Sequence, residues 1–228
     1  MPYFYYDWTM ILVIPGLLLG LYAQFKVKST FDRYSRIRTK SGLTAEQAAR
    51  ALLSRGGSAN VTISRVNGSL TDHYDPSSKT LRLSDSVYGS DSVAAVGVAA
   101  HECGHALQGH DGYGLLKLRT ALVPVVNIGS SLYLPIFMAG LLFSWEPLQM
   151  VGILCFGLTL LFSLVTLPVE INASKRALGM LEGVLDAEEL QGAKAVLSAA
   201  ALTYLASVIS SALQLLRLIL ISRSRNRD

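Results

Sequence analysis

The sequence predicts a mainly α-helical membrane protein that has about four transmembrane helices and a small α+β domain with a short antiparallel sheet. Of the 228 residues, 51% are hydrophobic and only 16% are charged. This composition is too apolar for an ordinary soluble domain and too charged for a simple bundle of membrane spans. Long uncharged runs alternate with polar segments along the chain, so the soluble part is expected to lie between the spans.

The first span is predicted from Trp8 to Phe25, an uncharged run of about the length that crosses a bilayer. A cleaved signal peptide is the alternative, but no basic residue precedes the apolar run and no small-residue cleavage site follows it. Residues 1–25 are therefore expected to be an N-terminal transmembrane anchor. Its interfacial aromatic belt is predicted to comprise Tyr3, Phe4, Tyr5, Tyr6 and Trp8.

Residues 26–120 are expected to contain a juxtamembrane segment, a small sheet and a buried helix. The segment from Lys26 to Lys40 carries six basic residues against one acid. A helix over 43–53 follows, and its start is predicted from the capping-box pair Thr44 and Gln47. Asn67-Gly68 predicts a hairpin turn between the first two strands, and residues 75–78 a turn before the third. The three strands are predicted at Val61–Val66, Leu70–Tyr74 and Thr80–Leu83.

The helix predicted from Asp91, as N-cap, to Gln108 is apolar on all sides before it reaches His101, Glu102 and His105. The two histidines are one turn apart on one face, so both imidazoles can bind the same metal ion. Neutral imidazoles suit zinc, and a carboxylate that is not a ligand can take a proton from the zinc-bound water. A chance match to the H-E-x-x-H pattern is the alternative. The apolar helix counts against it, because polar groups on a buried helix must be paired or metal-bound.

Residues 121–167 are predicted to form a transmembrane helical hairpin. An uncharged run from Ala121 to Phe143 is interrupted by two prolines, and a second run covers 147–167. Residues 168–194 are expected to form a helix and a polar loop. Because the hairpin returns the chain across the membrane, they should lie on the same side as residues 26–120. Residues 195–228 are expected to form a last transmembrane helix and a basic tail.

A zinc site needs a third protein ligand, and Glu170 is the stronger candidate. It lies just inside the helix that leaves the third span, where an unpaired carboxylate is costly. The basic residues of its own helix are not at the spacing that would face it. His110 is the alternative, but its offset from His105 is one residue short of the three-histidine protease pattern.

Three sequence stretches, AAHECGHALQ, LPVEINASKRAL and SLTDHYDPSSKTLRLS, together resemble the YugP-type membrane zinc metallopeptidases. More distantly, the chain resembles the HtpX-type membrane proteases. The resemblance implies a zincin-like metalloprotease domain of the gluzincin-like kind, with His101, His105 and Glu170 as ligands and Glu102 as general base. One departure is Ser174, which stands where the HtpX-like pattern has an aspartate that would orient a ligand histidine.

The predicted function is hydrolysis of peptide bonds by a membrane-embedded endopeptidase that holds one zinc ion per chain. The expected partners are the lipid bilayer and a peptide or protein substrate, which includes membrane proteins. The alternative is a non-catalytic membrane scaffold with a structural zinc, which would have no use for Glu102. A transporter is disfavoured because the second and third predicted spans contain no ionisable group. Candidate transition-state stabilisers are His73, Tyr74, Tyr113 and Arg176.

The formal net charge of +4 is interpreted as a topology signal and not as a nucleic-acid surface, because the basic residues are not interleaved with aromatic ones. Sixteen of the twenty Lys and Arg residues fall in residues 26–120 and 168–194. A bacterial plasma-membrane protein with a cytoplasmic catalytic domain is therefore expected. Against this, a four-span count places the basic C-terminal tail outside, unless the final stretch does not cross fully.

Overall fold

The computed structural model describes residues 8–225. The aromatic residues Tyr3, Phe4, Tyr5 and Tyr6 of the predicted belt, and Arg227 of the tail, lie outside this range. Its helices are a 3₁₀ turn at Trp8–Leu12, α1 (Val13–Tyr34), α2 (Ala45–Arg55), α3 (Val93–His110), α4 (Gly114–Leu142), α5 (Glu146–Leu181) and α6 (Ala187–Arg225). Its strands are β1 (Thr62–Val66), β2 (His73–Asp75) and β3 (Thr80–Ser84).

Within residues 8–225, four helices are long and apolar enough to cross a membrane. The first comprises the 3₁₀ turn and α1 together, and the others are α4, α5 and α6. Many of their large apolar side chains are exposed, as expected of surfaces that face lipid. Together with the small three-stranded sheet, these helices confirm the predicted fold class.

In the described part of the chain, the first of two compact units comprises residues 8–22, Leu118–Leu167 and residues 203–225. Within it α4 and α5 form an antiparallel pair that meets closely where Gly140 faces Gln149. The buried side chain of Gln149 donates to the Gly140 carbonyl at 3.1 Å and accepts from the Ser222 hydroxyl at 2.7 Å. This polar pair is satisfied internally, as a site shielded from water requires.

The prolines of the apolar runs do not divide the helices. Pro124 and Pro135 lie inside α4, and Pro168 lies inside α5, which joins the predicted third span to the segment that carries Glu170. A proline removes one backbone hydrogen bond, which membrane helices tolerate. The placement of the predicted loop before residue 195 at 186–192 is wrong, because the loop lies at 182–186 and α6 begins at Ala187. Asp186 and Glu189 accept hydrogen bonds from each other's backbone N–H groups and so cap its first turn.

The second unit comprises Ala23–Lys117 and Pro168–Leu202, and α3 lies at its centre. Nearly all residues of α3 are buried, which is what its apolar composition predicted. Its N-cap is Ser92 and not Asp91, because the Ser92 hydroxyl accepts from the backbone N–H of Ala95 at 3.2 Å. The capping box of Thr44 and Gln47 at the start of α2 is confirmed.

The sheet is mixed, with strand order β1-β3-β2, so the predicted antiparallel hairpin across Asn67-Gly68 is wrong. β1 pairs parallel with β3, whereas β2 and β3 are antiparallel. The chain between β1 and β2 is held to the end of β3 instead. The Asp85 carboxylate accepts from the Gly68 backbone N–H at 3.0 Å, and the Asp72 carboxylate accepts from that of Ser84 at 2.7 Å.

Within the second unit, α3 and α5 approach closely at Gly104, between the two histidines of α3. A methyl group at Gly104 would lie 2.5 Å from the backbone carbonyl oxygen of Ala173, well inside van der Waals contact. A backbone atom cannot move aside as a flexible side chain can. Only glycine therefore permits this helix spacing.

We expect Gly104→Ala to lower the free energy of unfolding by about 1–3 kcal/mol, the range for overpacking a filled interior. The matched control is Gly179→Ala on α5, where a methyl group meets nothing within 4 Å. That change should be neutral or slightly stabilising, since alanine is the better helix former. Thermal unfolding in detergent compares the two variants, and equal stability would contradict the backbone contact.

Candidate metal centre

Two imidazoles and one carboxylate converge between α3 and α5. The Nε2 atom of His101 lies 3.2 Å from Oε2 of Glu170, and Nε2 of His105 lies 3.4 Å from the same oxygen. Within residues 8–225 these three residues form the group whose donor atoms all lie within 4.8 Å of one another. The ligand atoms of a tetrahedral zinc site are about 3.3 Å apart, so the two distances from Glu170 to the imidazoles fit that ion.

The side chains of His101, His105 and Glu170 are largely shielded from water. Glu170 is only 2% exposed, and His105 is buried with it. Burial lowers the pKa of His105, but the hydrogen bond to Glu170 and the negative charge of Glu102 outweigh that effect and raise the pKa. The environment therefore favours positive charge at this position, as a cation site should.

The second nitrogen of each imidazole is held by a neutral side chain. Nδ1 of His105 donates to Oε1 of Gln108 at 3.0 Å, and Nδ1 of His101 lies 3.2 Å from the Ser174 hydroxyl. Such contacts fix the ring orientation and leave Nε2 directed at the cluster. No carboxylate fills this role for either histidine among the described residues; Ser174 occupies the place of the aspartate in the HtpX-like pattern.

Gln108 connects the two helices that carry the cluster. Its amide nitrogen donates to the Val169 carbonyl at 2.8 Å and to Oδ1 of Asn172 at 3.0 Å. Because the NH₂ group is used in this way, the Gln108 oxygen is left to accept from His105, which sets the histidine tautomer. Asn172 also accepts from Nε of Arg176 at 2.9 Å.

Glu102 is buried next to the cluster without belonging to it. It is 8% exposed, and no hydrogen bond to its carboxylate is found within residues 8–225. A buried carboxylate without a fixed donor is free to exchange a proton with a bound molecule. The negative charge of Glu102 also acts on Asp72. Burial and this charge raise the pKa of Asp72, although the hydrogen bonds from Ser84 lower it.

The other predicted residues are not members of this donor group. The Arg176 guanidinium is bound to Asp111 at the end of α3, and the exposed His73 contacts the Thr71 carbonyl and Arg82 on the sheet. Tyr113 is half-buried in the turn after α3, and Tyr74 contacts the same end of that helix. The histidine not chosen as ligand, His110, lies over Gly57 at the end of α2 and is exposed.

Sequence reasoning did not identify Gln108 and Asn172 as members of the site. Gln108 follows His105 by three residues, so it lies on the same helix face, and this spacing was a usable signal. Asn172 had no such signal, because its role depends on which face of α5 meets α3. Cys103, between the ligand candidates, is a buried packing residue, and burial raises the pKa of its thiol.

These features define a membrane protein with four membrane-length helices and a buried group of donors that can hold a metal ion. The chain belongs to the family described as "putative neutral zinc metallopeptidase", whose model matches residues 9–223. It is 44% identical over 214 residues to the "putative membrane protease YugP" of Bacillus subtilis (strain 168). The aligned region covers 93% of this chain and 95% of that protein. The resemblance found in the sequence is thereby confirmed. No solved structure matches this chain.

The neutral partners of the histidines predict a measurable effect on metal affinity. We expect Ser174→Ala and Gln108→Ala each to weaken zinc binding about 10- to 100-fold, because the imidazoles lose their orientation. The control is Ser163→Ala on α5, whose hydroxyl donates only to the Thr159 carbonyl of its own helix. Competition with a chromophoric chelator measures the affinities. Unchanged zinc affinity in both site variants would contradict the role assigned to these contacts.

Proposed function

We propose that this protein is a membrane-embedded zinc endopeptidase. The observation that carries the proposal is the pairing of a three-donor cluster, His101, His105 and Glu170, with a neighbouring carboxylate, Glu102. In the part of the chain that the structure describes, Glu102 has no hydrogen-bond partner. A structural zinc site closes with four protein ligands, whereas a catalytic site keeps a position open. Three donors and a free carboxylate favour catalysis over the scaffold alternative.

The residues divide the work as follows. His101, His105 and Glu170 would hold one zinc ion, which when bound lowers the pKa of a water molecule and polarises the substrate carbonyl. Glu102 accepts the proton of the attacking water and later delivers it to the leaving amine. Ser174 and Gln108 keep the imidazole rings in register while this proton moves.

The substrate is proposed to be a peptide or protein segment in extended conformation. β2 pairs only with β3 in the described part of the chain, so its outer edge can accept a further strand. Tyr74 on β2 and Tyr113 after α3 are the preferred candidates to stabilise the transition state. Arg176 is less suited to that role because its guanidinium is already bound to Asp111.

One experiment tests both parts of the site. Glu102→Gln should keep zinc and fold but lose about 10²–10⁴-fold in turnover of casein or unstructured peptides, since a proton carrier is removed. Glu170→Gln should lose zinc, and chelation of the wild-type zinc should abolish its activity in the same way. Glu182→Gln, which alters an exposed acid just beyond α5, serves as control.

Metal analysis and peptide cleavage on the same preparations separate the outcomes. Equal turnover of wild type and Glu102→Gln would refute the proteolytic mechanism. Full zinc content in Glu170→Gln would refute the ligand set while leaving the mechanism open to test.

We further propose that the protein lies in the bacterial plasma membrane with its catalytic part in the cytoplasm. Basic residues concentrate between Lys26 and Lys40, directly after the first apolar run, where the positive-inside rule is strongest. The turn between α4 and α5 has no basic residue, and the acidic Glu146 follows it at the start of α5, as suits an external turn.

Labelling of single cysteines tests this orientation. Ser77 and Ser144 are exposed and are replaced by cysteine, one at a time, in a Cys103→Ala, Cys155→Ala background. A membrane-impermeant reagent should modify position 144 but not position 77 in intact cells, and both after permeabilisation. The reverse pattern in intact cells would invert the topology.

A further inference from the structure

A cavity of ≈ 500 Å³ lies between α1 and α6 in the second unit, apart from the metal centre. From α1, a polar set lines it: Lys26, Ser29, Thr30 and Arg33. From α6, a set of mostly small residues lines it: Ala195, Ser198, Ala199 and Leu202. Both sets follow the i, i+3, i+4, i+7 spacing that places residues on one helix face.

This composition explains why the helices leave a space. Two helices that face each other with this spacing normally interlock apolar side chains along the seam. Here α6 presents small side chains and α1 presents polar ones, so the seam is not filled. The two helices are close together one turn before Ala195 on α6. There, a methyl group on Gly192 would lie 2.7 Å from the Tyr34 ring.

The charges of the cavity are of one sign. No carboxylate lies within ion-pair distance of Lys26 or Arg33 in residues 8–225, whereas Arg38 and Lys40, further along the chain, pair with Asp91 and Asp186. Hydroxyl groups on both walls add hydrogen-bonding capacity. Two cations with hydroxyls match the requirements of a phosphate group.

The position along α1 indicates what carries the phosphate. The uncharged run ends at Phe25, which is 70% exposed, and Lys26 is the first charged residue after it. Arg33 lies about 10 Å further along the helix, at 1.5 Å per residue. That interval spans the headgroup layer, which is about 5–8 Å deep on each side of a bilayer. Exposed apolar residues precede the cavity on α1: Leu17, Leu18 and Leu21.

We propose that this cavity binds the headgroup of an anionic phospholipid, with Lys26 and Arg33 contacting its phosphate and the acyl chains lying along the apolar face of α1. Basic pockets between helices at a membrane surface are suited to such lipids. The site is independent of the proposed peptidase activity, and it would make the anionic lipid an integral part of the α1–α6 contact.

The test uses the full chain in a neutral detergent, titrated with phosphatidylglycerol and observed by native mass spectrometry. The variant Lys26→Gln/Arg33→Gln should bind the lipid about 30-fold more weakly. The control Lys28→Gln/Arg36→Gln removes the same charge from exposed residues of the same segment that do not line the cavity, and it should retain wild-type affinity. Ser198→Leu, which narrows the cavity without a change of charge, should also weaken binding.

Three outcomes would overturn the proposal. One is an equal loss of affinity in the two double variants, which would indicate a general charge effect. Another is unchanged binding by Ser198→Leu, which would place the lipid elsewhere. The last is displacement of the lipid by millimolar inorganic phosphate, which would identify a site for soluble phosphate. Circular dichroism of each variant establishes that the helices are intact.

Discussion

The contact of α3 with α5 at Gly104 is the constraint on which the candidate site depends. The histidines belong to one helix and the carboxylate to the other, so the donor cluster exists only at the interhelix distance that a glycine permits. Around this contact, Gln108 links the backbone of α5 to the ring of His105. Packing and polar contacts therefore act together, and the same interface that stabilises the second unit also assembles the donors.

The polar groups of the site differ in how firmly they are held. The imidazole rings and Gln108 are fixed by several partners each, whereas Glu102 has none among the described residues. That contrast suits a division between residues that define geometry and a residue that exchanges protons. In the proposed mechanism, proton exchange offsets the cost of burying the Glu102 carboxylate.

The sequence was sufficient for features that depend on local spacing. The one-turn spacing of His101 and His105, the capping box of α2 and the presence of four long apolar helices follow from residues close together in the chain. The helices themselves extend beyond the predicted spans. Glu170 needed a topological argument in addition, because it is far from α3 in sequence. The identity of its helix neighbours, Ser174 and Asn172, could be read, but the partner of each could not.

Long-range contacts defeated the local signals elsewhere. Asn67-Gly68 is a strong hairpin signal, yet Asp72 and Asp85 hold that segment to the end of β3, so β1 pairs in parallel. The prolines of α4 and α5 also read as breaks, although a membrane environment leaves a helix few alternatives. In the sheet the deciding interactions join residues that no short pattern contains, whereas in α4 and α5 the deciding factor is the environment of the helix.

The backbone contact at Gly104 has one more effect, which concerns the size of the site. Because not even a methyl group fits between Gly104 and the Ala173 carbonyl, α3 and α5 have little room to move closer. The contact sets a lower limit on the distance between the two helices. When no ion is bound, attraction between the imidazoles and the Glu170 carboxylate cannot collapse the space between them beyond this limit. The donors thus keep ion-sized separations in advance, and binding requires little rearrangement of the helices.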